Sequence, residues 1–370
     1  MPLDIRLLKD SEYKAVNDFY NKTSHIGRPA PAAARSYDEF CWEFLNCPNE
    51  RAMYAGAWEM EDEKHPVLVG VQCVLILKMT DADGKQILTG KGEATLIDIN
   101  ALIRYKKTDI LKELFSILID ECHKKGIEFL WGFNTIPASY KRLGFETPFK
   151  SDHGILVLNP FGAYKNITSL RPKNTGADNF KIAIQSGLSY LFLLKKSFIL
   201  SQKKKYHINF ELDRNEALFK NASFPDKLLF LVQDEAYFKW KISENPYPVT
   251  YRSYQLLNDN NTLMAQVICS IQKDAAFIEQ LLFDKKLNKK NSYFLLKMIL
   301  QSLKNENVCL VRYTGFKKNG LNLREMDLLK QIGFIFTGKG EWFTFKNLSG
   351  NPKINPENIY LSRMYKQGVN

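Results

Sequence analysis

The sequence contains no run of roughly 20 consecutive apolar residues, the length that a membrane-spanning helix needs. Its most apolar stretch, Leu188 to Leu200, is interrupted by Lys195 and Lys196. The first residues, MPLDIRLLKDSEY, lack the apolar core of a secretory signal peptide. These absences argue against an integral membrane protein and predict a cytoplasmic one.

Cysteine and histidine are scarce. None of the 6 cysteines forms a Cys-x-x-Cys pair, so we expect reduced core thiols rather than a disulfide framework. The chain has 5 histidines, none at metal-ligand spacing from another: His25, His65, His123, His153 and His207. No P-loop, dinucleotide-binding glycine motif or Ser-His-Asp elbow is present. We therefore expect no metal cofactor.

Acidic side chains are outnumbered by basic ones, 40 against 52, which gives a net charge of +12. Such an excess suits an anionic ligand, a nucleic acid or an anionic membrane surface. Nucleic acid is disfavoured, because the chain has neither zinc-finger spacing nor an aromatic RNA-binding signature. A basic cluster at Lys195 to Lys205 lies in a predicted helix, Ile182 to Lys204. That helix is predicted to pack between domains or to make peripheral contact with a membrane.

Two segments of the chain repeat each other, residues 38–54 and 234–251. Both contain Phe-x-Trp, then a proline, then a tyrosine, at Phe40, Trp42, Pro48, Tyr54 and at Phe238, Trp240, Pro246, Tyr251. Further along, a Gly-Phe pair precedes Leu-Gly-Phe at 143–145 and Ile-Gly-Phe at 332–334. Two signatures in the same order predict a duplicated fold. We expect a domain at 1–160, a linker at 161–205 and a second domain at 206–370, with both tryptophans as core anchors.

Hydrophobic periodicity predicts the same order of elements in both halves. The first half has predicted strands at 3–8, 53–59, 67–79, 86–101 and 127–133, and helices at 10–20, 108–125 and 139–143. The second half has predicted strands at 207–212, 250–257, 262–272, 275–283, 308–313, 341–346 and 359–363. Its helices begin at Asn291 or Ser292 and span 322–331. The fold class is therefore α/β (α+β), each half a mixed, mostly antiparallel sheet flanked by helices.

Two local sequences carry a family resemblance. Residues 98–115, DINALIRYKKTDILKELF, are similar to the donor-binding turn and helix of GNAT-type N-acyltransferases, and residues 126–145, GIEFLWGFNTIPASYKRLGF, resemble that family's Tyr-x-x-x-Gly-Phe signature. The resemblance implies a tandem protein of the bacterial two-domain branch. It further implies that acetyl-CoA or another acyl-CoA is the co-substrate and that the acceptor is a small-molecule amine, such as an amino sugar or a small metabolite.

The resemblance also implies roles for particular residues. Tyr140 is the expected general acid for the departing thiolate, and Asp98 is the expected general base, with Glu93 as a weaker candidate. Six residues are expected to contact the donor: Asn100, Ala101, Lys106, Lys107, Thr108 and Asn134. A helix N-terminus suits a diphosphate, and a free main-chain N–H beside a splayed strand suits the acyl oxygen. His25 and Arg28 are candidate acceptor contacts.

The sequence departs from the family at two places. The donor-binding turn has no glycine, and Asp109 stands where the family usually has one, so a carboxylate occupies a place meant for phosphate. In the second half Leu329 falls at the position of Tyr140, and leucine has no proton to donate. The second half is therefore predicted to be non-catalytic. Two other functions stay open: a Fem-type ligase that uses aminoacyl-tRNA, and a binding or scaffold protein without activity.

Overall fold

The computed structural model describes residues 2–23, 34–60, 66–81, 83–169, 187, 190, 208–209, 229–316, 323–338 and 340–365. These residues form two compact units, each assembled from separate segments of the chain. Unit 1 comprises Met1–Pro148, Leu229–Pro246 and Glu341–Ile359, and unit 2 comprises Phe149–Leu228, Tyr247–Gly340 and Tyr360–Asn370. His25, Arg28 and the basic cluster Lys195 to Lys205 lie outside the described residues, as does almost all of the predicted helix Ile182 to Lys204.

The sheet of unit 1 has the strand order β1-β2-β3-β4-β5-β14, with β8 paired to β3. Its strands are β1 (Leu3–Leu7), β2 (Met53–Met60), β3 (Pro66–Thr80), β4 (Gln86–Ile97), β5 (Phe129–Asn134), β8 (Phe230–Leu231) and β14 (Trp342–Asn347). All pairings are antiparallel except the parallel pairing of β4 with β5. The helices of unit 1 are α1 (Tyr13–Thr23), α2 (Tyr37–Phe40), α3 (Ile99–Arg104), α4 (Ile110–Lys124), α5 (Pro137–Arg142) and α7 (Glu235–Phe238).

The sheet of unit 2 has the order β13-β6-β12-β11-β10-β9-β7. Its strands are β6 (Ser151–Val157), β7 (Ile208–Asn209), β9 (Thr250–Leu257), β10 (Leu263–Gln272), β11 (Ala275–Phe283), β12 (Leu310–Phe316) and β13 (Ile335–Phe336). Its helices are α6 (Pro160–Ser169), α8 (Lys289–Asn305) and α9 (Leu323–Ile332). Only β11 and β12 pair in parallel.

The predicted domain boundaries are wrong, because each unit takes a strand from the other half of the chain. β6, from the first half, pairs antiparallel with β12 in unit 2. β14, from the second half, pairs antiparallel with β5 in unit 1. Period-two patterning indicates that a segment is a strand, but it does not identify the sheet edge that accepts it. The pairing of β6 with β12 and of β14 with β5 therefore replaces the predicted contiguous domains 1–160 and 206–370.

The amphipathic helix of each unit forms its core against one face of the sheet. In α4, Leu114, Phe115, Leu118 and Cys122 are buried at the predicted spacing. In α8, the corresponding buried residues are Leu295, Leu296, Ile299 and Leu303. The mixed α/β fold with two helix-flanked sheets is thus confirmed.

Two predicted strand segments are wrong. Residues 98–101 are not strand, because β4 ends at Ile97 and the Asp98 carboxylate caps α3. Residues 359–363 are not strand either, since the chain there leads into a short 3-10 turn, Arg363–Tyr365. Local hydrogen bonds to the backbone compete with the sheet at such places.

The repeated Phe-x-Trp segments meet within unit 1. Each forms a π-helical turn, Cys41–Leu45 after α2 and Lys239–Ser243 after α7. The Trp42 Nε1 donates to the Trp240 carbonyl at 2.7 Å, and the Trp240 Nε1 donates to the Trp42 carbonyl at 2.8 Å. The two rings stack with centroids 5.3 Å apart. Both tryptophans are buried, as predicted, and the sequence repeat becomes one reciprocal contact.

Candidate functional site

The parallel strands β4 and β5 separate partway along their length. They pair at four positions, from Thr89 with Phe129 to Gly92 with Gly132, and at none beyond. β4 then continues to Ile97 and β5 to Asn134. The edge of β4 past Gly92 therefore faces a gap rather than a neighbouring strand.

A β-bulge lies in β4 at the start of this gap. The register on β3 moves two residues, from Cys73 to Val71, while β4 moves three, from Glu93 to Leu96. Ala94, inside the bulge, has a φ of 52°. A bulge leaves one residue of the ladder unpaired, so we expect a free main-chain N–H at the point where the strands part. Such a donor stabilises negative charge on an acyl oxygen.

The approach of β4 to β5 at the head of the gap requires glycine at 132. A Cβ on Gly132 would lie 2.8 Å from the Gly92 carbonyl oxygen, whereas a Cβ on Gly92 would lie 3.8 Å from its nearest neighbours. We expect Gly132→Ala to lower the free energy of unfolding by about 1–3 kcal/mol, and Gly92→Ala to lower it by less. Urea unfolding of both variants measures this, and equal losses would contradict the close-approach argument.

The phenol of Tyr140 reaches the bulge from α5. Its hydroxyl lies 3.0 Å from the Thr95 Oγ1. The Thr95 hydroxyl donates to the Gln72 Oε1, so its single proton is used there and Tyr140 is the donor in the pair. The Tyr140 ring packs edge-on against Phe115 and Phe145.

The environment of Tyr140 keeps its hydroxyl protonated. Burial raises the pKa of Tyr140 above the ordinary 10.0. The phenol therefore carries its proton at neutral pH, the state that a general acid needs. The Gln72 amide, fully buried, donates to the Cys73 and Glu93 carbonyls and fixes this arrangement across β3 and β4.

An acidic side chain stands next to the bulge. Glu93 is ion-paired with the Lys91 Nζ; the Lys91 side chain is 0% exposed and the Glu93 side chain 33% exposed. Lys91 also lies over the Trp131 ring, 5.8 Å from its centroid. Strand alternation places Lys91 and Glu93 on the same face of the sheet. Glu93 thus reaches solvent beside the gap, and its ion pair with the buried Lys91 holds its carboxylate in place.

Asp98, the predicted base, lies at the start of α3 and not in a strand. Its carboxylate accepts a hydrogen bond from the Asn100 N–H at 3.0 Å, and its own N–H donates to the Val69 carbonyl at 2.8 Å. The strand position predicted for Asn100 and Ala101 is wrong, since both lie on α3. Asn100 is exposed, and Ala101 is fully buried in the core.

The turn between α3 and α4 carries the predicted phosphate contacts. Lys106, Lys107 and Thr108 are all exposed there. The N-terminus of α4, however, is capped by its own chain. The Asp109 carboxylate accepts from the Lys112 N–H at 3.2 Å and pairs with Arg142 at 3.0 Å. A helix end occupied by a carboxylate does not fit a diphosphate, and Lys106 and Lys107 are exposed cations beside it.

Asn134, at the end of β5, has unused hydrogen-bonding groups. Both its Nδ2 and its Oδ1 are buried and have no partner among the described residues. Leaving such groups unmade costs about 1–3 kcal/mol each, and an exception of this kind calls for a ligand or water. A secondary amide, such as those of a pantetheine arm, satisfies a donor and an acceptor together. A ligand that carries a secondary amide therefore fits this end of the gap.

Unit 2 has the same strand separation with a different content. β11 and β12 pair from Ala275 with Leu310 to Ile278 with Tyr313 and no further, and a bulge at Glu279 follows. The buried Arg363 donates to the Glu279 Oε1 at 3.2 Å, and the buried Tyr360 hydroxyl donates to the Leu281 carbonyl at 3.2 Å. The last described residues of the chain thus cover the free edge of β11. Leu329, also buried, stands on α9.

A buried acid on α9 makes the stability of unit 2 depend on pH. Burial raises the pKa of Glu325 from 4.5 to about 7, against smaller opposing effects of its own backbone N–H and of Arg324. The folded state therefore binds this proton more tightly than the unfolded state. The free energy of unfolding is therefore highest below the pKa that Glu325 has in the unfolded chain. It falls as the pH rises through the folded-state pKa of about 7, by up to about 3 kcal/mol.

We accordingly expect Glu325→Gln to unfold with a flatter pH dependence. The variant should match the wild type at acidic pH and exceed its stability above about pH 7. Chemical denaturation across this range is the measurement. Asp327→Asn, an exposed position on the same helix, is the control and should keep the wild-type slope. Parallel curves for the wild type and Glu325→Gln would contradict the expectation.

Several residues of this site carried no sequence signal. Gln72, Thr95 and the Glu279–Arg363 pair were not singled out by any motif. Thr and Gln are ordinary residues in strands, and their importance arises only from the bulge that brings them to Tyr140. Lys91 shows a weak signal, since a lysine within an apolar strand pattern is rarely buried without a partner.

Known structures share this fold. A probable N-acyltransferase from Enterococcus faecalis V583 superposes with a TM-score of 0.60 at 9% identity, covering 94% of this chain and 73% of that one. A tandem GNAT protein from the clavulanic acid biosynthesis pathway gives 0.55 at 10%, covering 94% and 99%. The N-myristoyltransferase of Saccharomyces cerevisiae, with bound myristoyl-CoA, gives 0.53 at 12%, covering 99% and 84%.

Sequence comparison adds no relative: no family model matches the chain, and no curated protein matches it. The likeness is thus one of fold, at identities far below those that carry function. Within the part of the chain that the structure describes, no helix is long and apolar enough to cross a membrane. In the same residues, no three His, Cys, Asp or Glu side chains are grouped to hold a metal ion.

Proposed function

We propose that this chain, whose fold is that of the tandem GNAT proteins, transfers an acyl group from an acyl-CoA thioester to an amine in unit 1. One observation carries the proposal: the strand separation, the bulge in β4 and the protonated phenol of Tyr140 occur at one place. The separation offers a slot, the bulge offers an N–H for the acyl oxygen, and the phenol offers a proton.

The reaction assigns each polar group one task. The amine nitrogen forms a bond to the acyl carbon while the carbon–sulfur bond breaks. Glu93, beside the bulge and partly open to solvent, takes the proton that the amine releases. Tyr140 gives its proton to the departing sulfur and regains one from solvent. Asp98 is the poorer base, since its carboxylate is engaged in capping α3.

The donor is held at two points in this scheme. The Asn134 amide, which lacks protein partners, binds an amide of the pantetheine arm. Lys106 and Lys107 neutralise the diphosphate in place of the helix end that Asp109 occupies. Point charges on exposed lysines bind less tightly than a glycine-lined cradle of main-chain N–H groups, so we expect weak affinity for CoA itself.

Unit 2 supports the reaction without performing it. Leu329 stands at the position corresponding to Tyr140 and has no proton to give. Among the described residues, Tyr360 and Arg363 contact β11 beside its bulge and cover that edge. This argues for a single acyl-transfer site per chain.

Thermal stabilisation by ligands tests the proposal most directly. A ligand that binds only the folded chain raises its stability by RT ln(1 + [L]/Kd). We expect acetyl-CoA or a longer acyl-CoA to raise the melting temperature, and thiol release to follow when an amine is added. Lys106→Glu with Lys107→Glu should weaken the shift, whereas Lys289→Glu with Lys290→Glu, the exposed pair that begins α8, should not. No shift and no thiol release with any acyl-CoA would sink the proposal.

A further inference from the structure

Half of the large hydrophobic residues that are exposed in the described part of the chain lie at one end of unit 1. Ile99, Leu102 and Ile103 on α3 are 53%, 46% and 69% exposed, and Ile136, just before α5, is 63% exposed. α3 follows β4 and Ile136 follows β5, and the C-terminal ends of two parallel neighbours meet at the same edge of a sheet. We call these four residues the aliphatic patch.

Helix α3 exposes its large apolar residues, which is unusual for a helix that packs only on its own domain. Its smallest apolar residue, Ala101, is fully buried, while the three larger aliphatic residues face solvent. A surface helix normally buries its large aliphatic face and exposes its polar face. Single exposed leucines need no explanation, but clustered ones mark an interaction surface.

The charges around the aliphatic patch are positive once internal pairs are removed. Arg104 is paired with Glu59, and Arg142 is paired with Asp109. Lys106 and Lys107, directly after α3, and Lys141 on α5 are exposed, and no described acidic side chain pairs with them. The two acidic side chains of residues 98–109 are engaged, Asp98 in capping and Asp109 in capping and pairing. An unpaired basic rim therefore borders aliphatic side chains.

We propose that the aliphatic patch and its three lysines dock unit 1 onto an anionic lipid bilayer. Aliphatic side chains enter the boundary between headgroups and acyl chains, and lysines beside them meet the anionic headgroups. The composition of the patch favours lipid over a protein partner. Protein interfaces are enriched in aromatic residues and arginine, whereas this patch has neither a free arginine nor an aromatic ring.

The consequence for the molecule concerns the mouth of the gap between β4 and β5. α3 and Ile136 each follow the end of their separating strand after one intervening residue, so a docked patch places that mouth at the lipid surface. The docking itself does not require that the chain be an acyltransferase. It stands on exposure and charge alone, and its test needs neither donor nor acceptor.

Co-sedimentation with vesicles tests the docking. We expect the full chain to sediment with mixed phosphatidylcholine–phosphatidylglycerol vesicles, to bind phosphatidylcholine vesicles at least about tenfold less, and to be released by salt. Ile103→Glu should reduce partitioning to the mixed vesicles by about tenfold or more. Lys106→Glu with Lys107→Glu should do the same by removing the electrostatic attraction.

Matched variants separate the patch from general surface effects. Phe161→Ser removes an exposed hydrophobic residue that is 67% exposed elsewhere, and Lys289→Glu with Lys290→Glu removes a similar lysine pair. Both should bind vesicles as the wild type does, and melting temperatures should show that all variants fold. Absence of binding to mixed vesicles, or equal losses in the control variants, would overturn the proposal. So would a dimer, seen by sedimentation velocity without lipid, that Ile103→Glu converts to a monomer.

Discussion

Replacing Tyr140 by phenylalanine is expected to lower kcat for amine-dependent thiol release by about 10²–10⁴-fold, the usual contribution of a positioned general acid. KM for the acyl donor should change little, because the ring and its contacts with Phe115 and Phe145 remain. The pKa of Tyr140 is raised above the ordinary 10.0. The wild-type rate should therefore fall only above the pH where a free tyrosine ionises, and that decline should be absent in the variant.

The control for this experiment is another tyrosine of unit 1. Tyr37 is exposed, lies on α2 and contacts no residue of the gap that the structure describes. Tyr37→Phe should keep the wild-type kcat. A Tyr140→Phe enzyme with unchanged turnover would remove Tyr140 from the mechanism while leaving the fold assignment untouched. Parallel losses of kcat and melting temperature would indicate a packing role instead.

Replacing Arg363 by methionine is expected to destabilise unit 2 by about 3–5 kcal/mol, since it leaves the Glu279 carboxylate buried without its cation. Both side chains are almost fully buried, and the Arg363 guanidinium also lies 4.0 Å from the centroid of the Phe277 ring. Methionine keeps most of the apolar stem, so the loss reports charge rather than volume. Equilibrium unfolding in urea is the measurement.

Two further variants make this result interpretable. Arg252→Met breaks an exposed pair with Glu306, 3.5 Å apart, and should cost no more than about 1 kcal/mol. Combining Arg363→Met with Glu279→Gln removes both charges and should recover most of the loss. If the double variant is as unstable as Arg363→Met alone, the segment is held by packing, and the ion pair is incidental to closing the edge of β11.

Units 1 and 2 share one strand arrangement but differ in the residues beside it. Both contain a parallel pair that stops early and a bulge directly beyond it. In unit 1 the space beyond the bulge is bordered by Tyr140, Glu93 and an Asn134 amide without partners. In unit 2 the corresponding edge is closed by Tyr360 and Arg363. The same backbone geometry is thus open in unit 1 and covered by the chain itself in unit 2.

The aliphatic patch and the Asp109 cap also affect the same region. The Asp109 carboxylate caps the start of α4, and the nearby Lys106 and Lys107 are used by both the acyl-CoA proposal and the lipid proposal. The vesicle experiment and the CoA experiment share the Lys106 and Lys107 variant, but only the vesicle experiment depends on Ile103. That difference allows each proposal to fail alone.

The sequence by itself determined the class of fold, the duplication and most of the helices and strands. Apolar spacing in α4 and α8 and the two Phe-x-Trp segments are local patterns, which can be read from the sequence because they depend only on neighbouring residues. Tyr140 and Asn134 were predicted as site residues because they belong to a short signature. Leu329 marked the second half as different for the same reason.

Only the tertiary structure decided which strand completes which sheet, where β4 bulges and what lies beside the bulge. The exchange of β6 and β14 depends on hydrogen bonds between segments far apart in the chain, which no local period encodes. The bulge that brings Thr95 and Gln72 to Tyr140 depends on register with β3. Capping ended β4 before Asp98, because its carboxylate accepts a hydrogen bond from a free N–H at the start of α3.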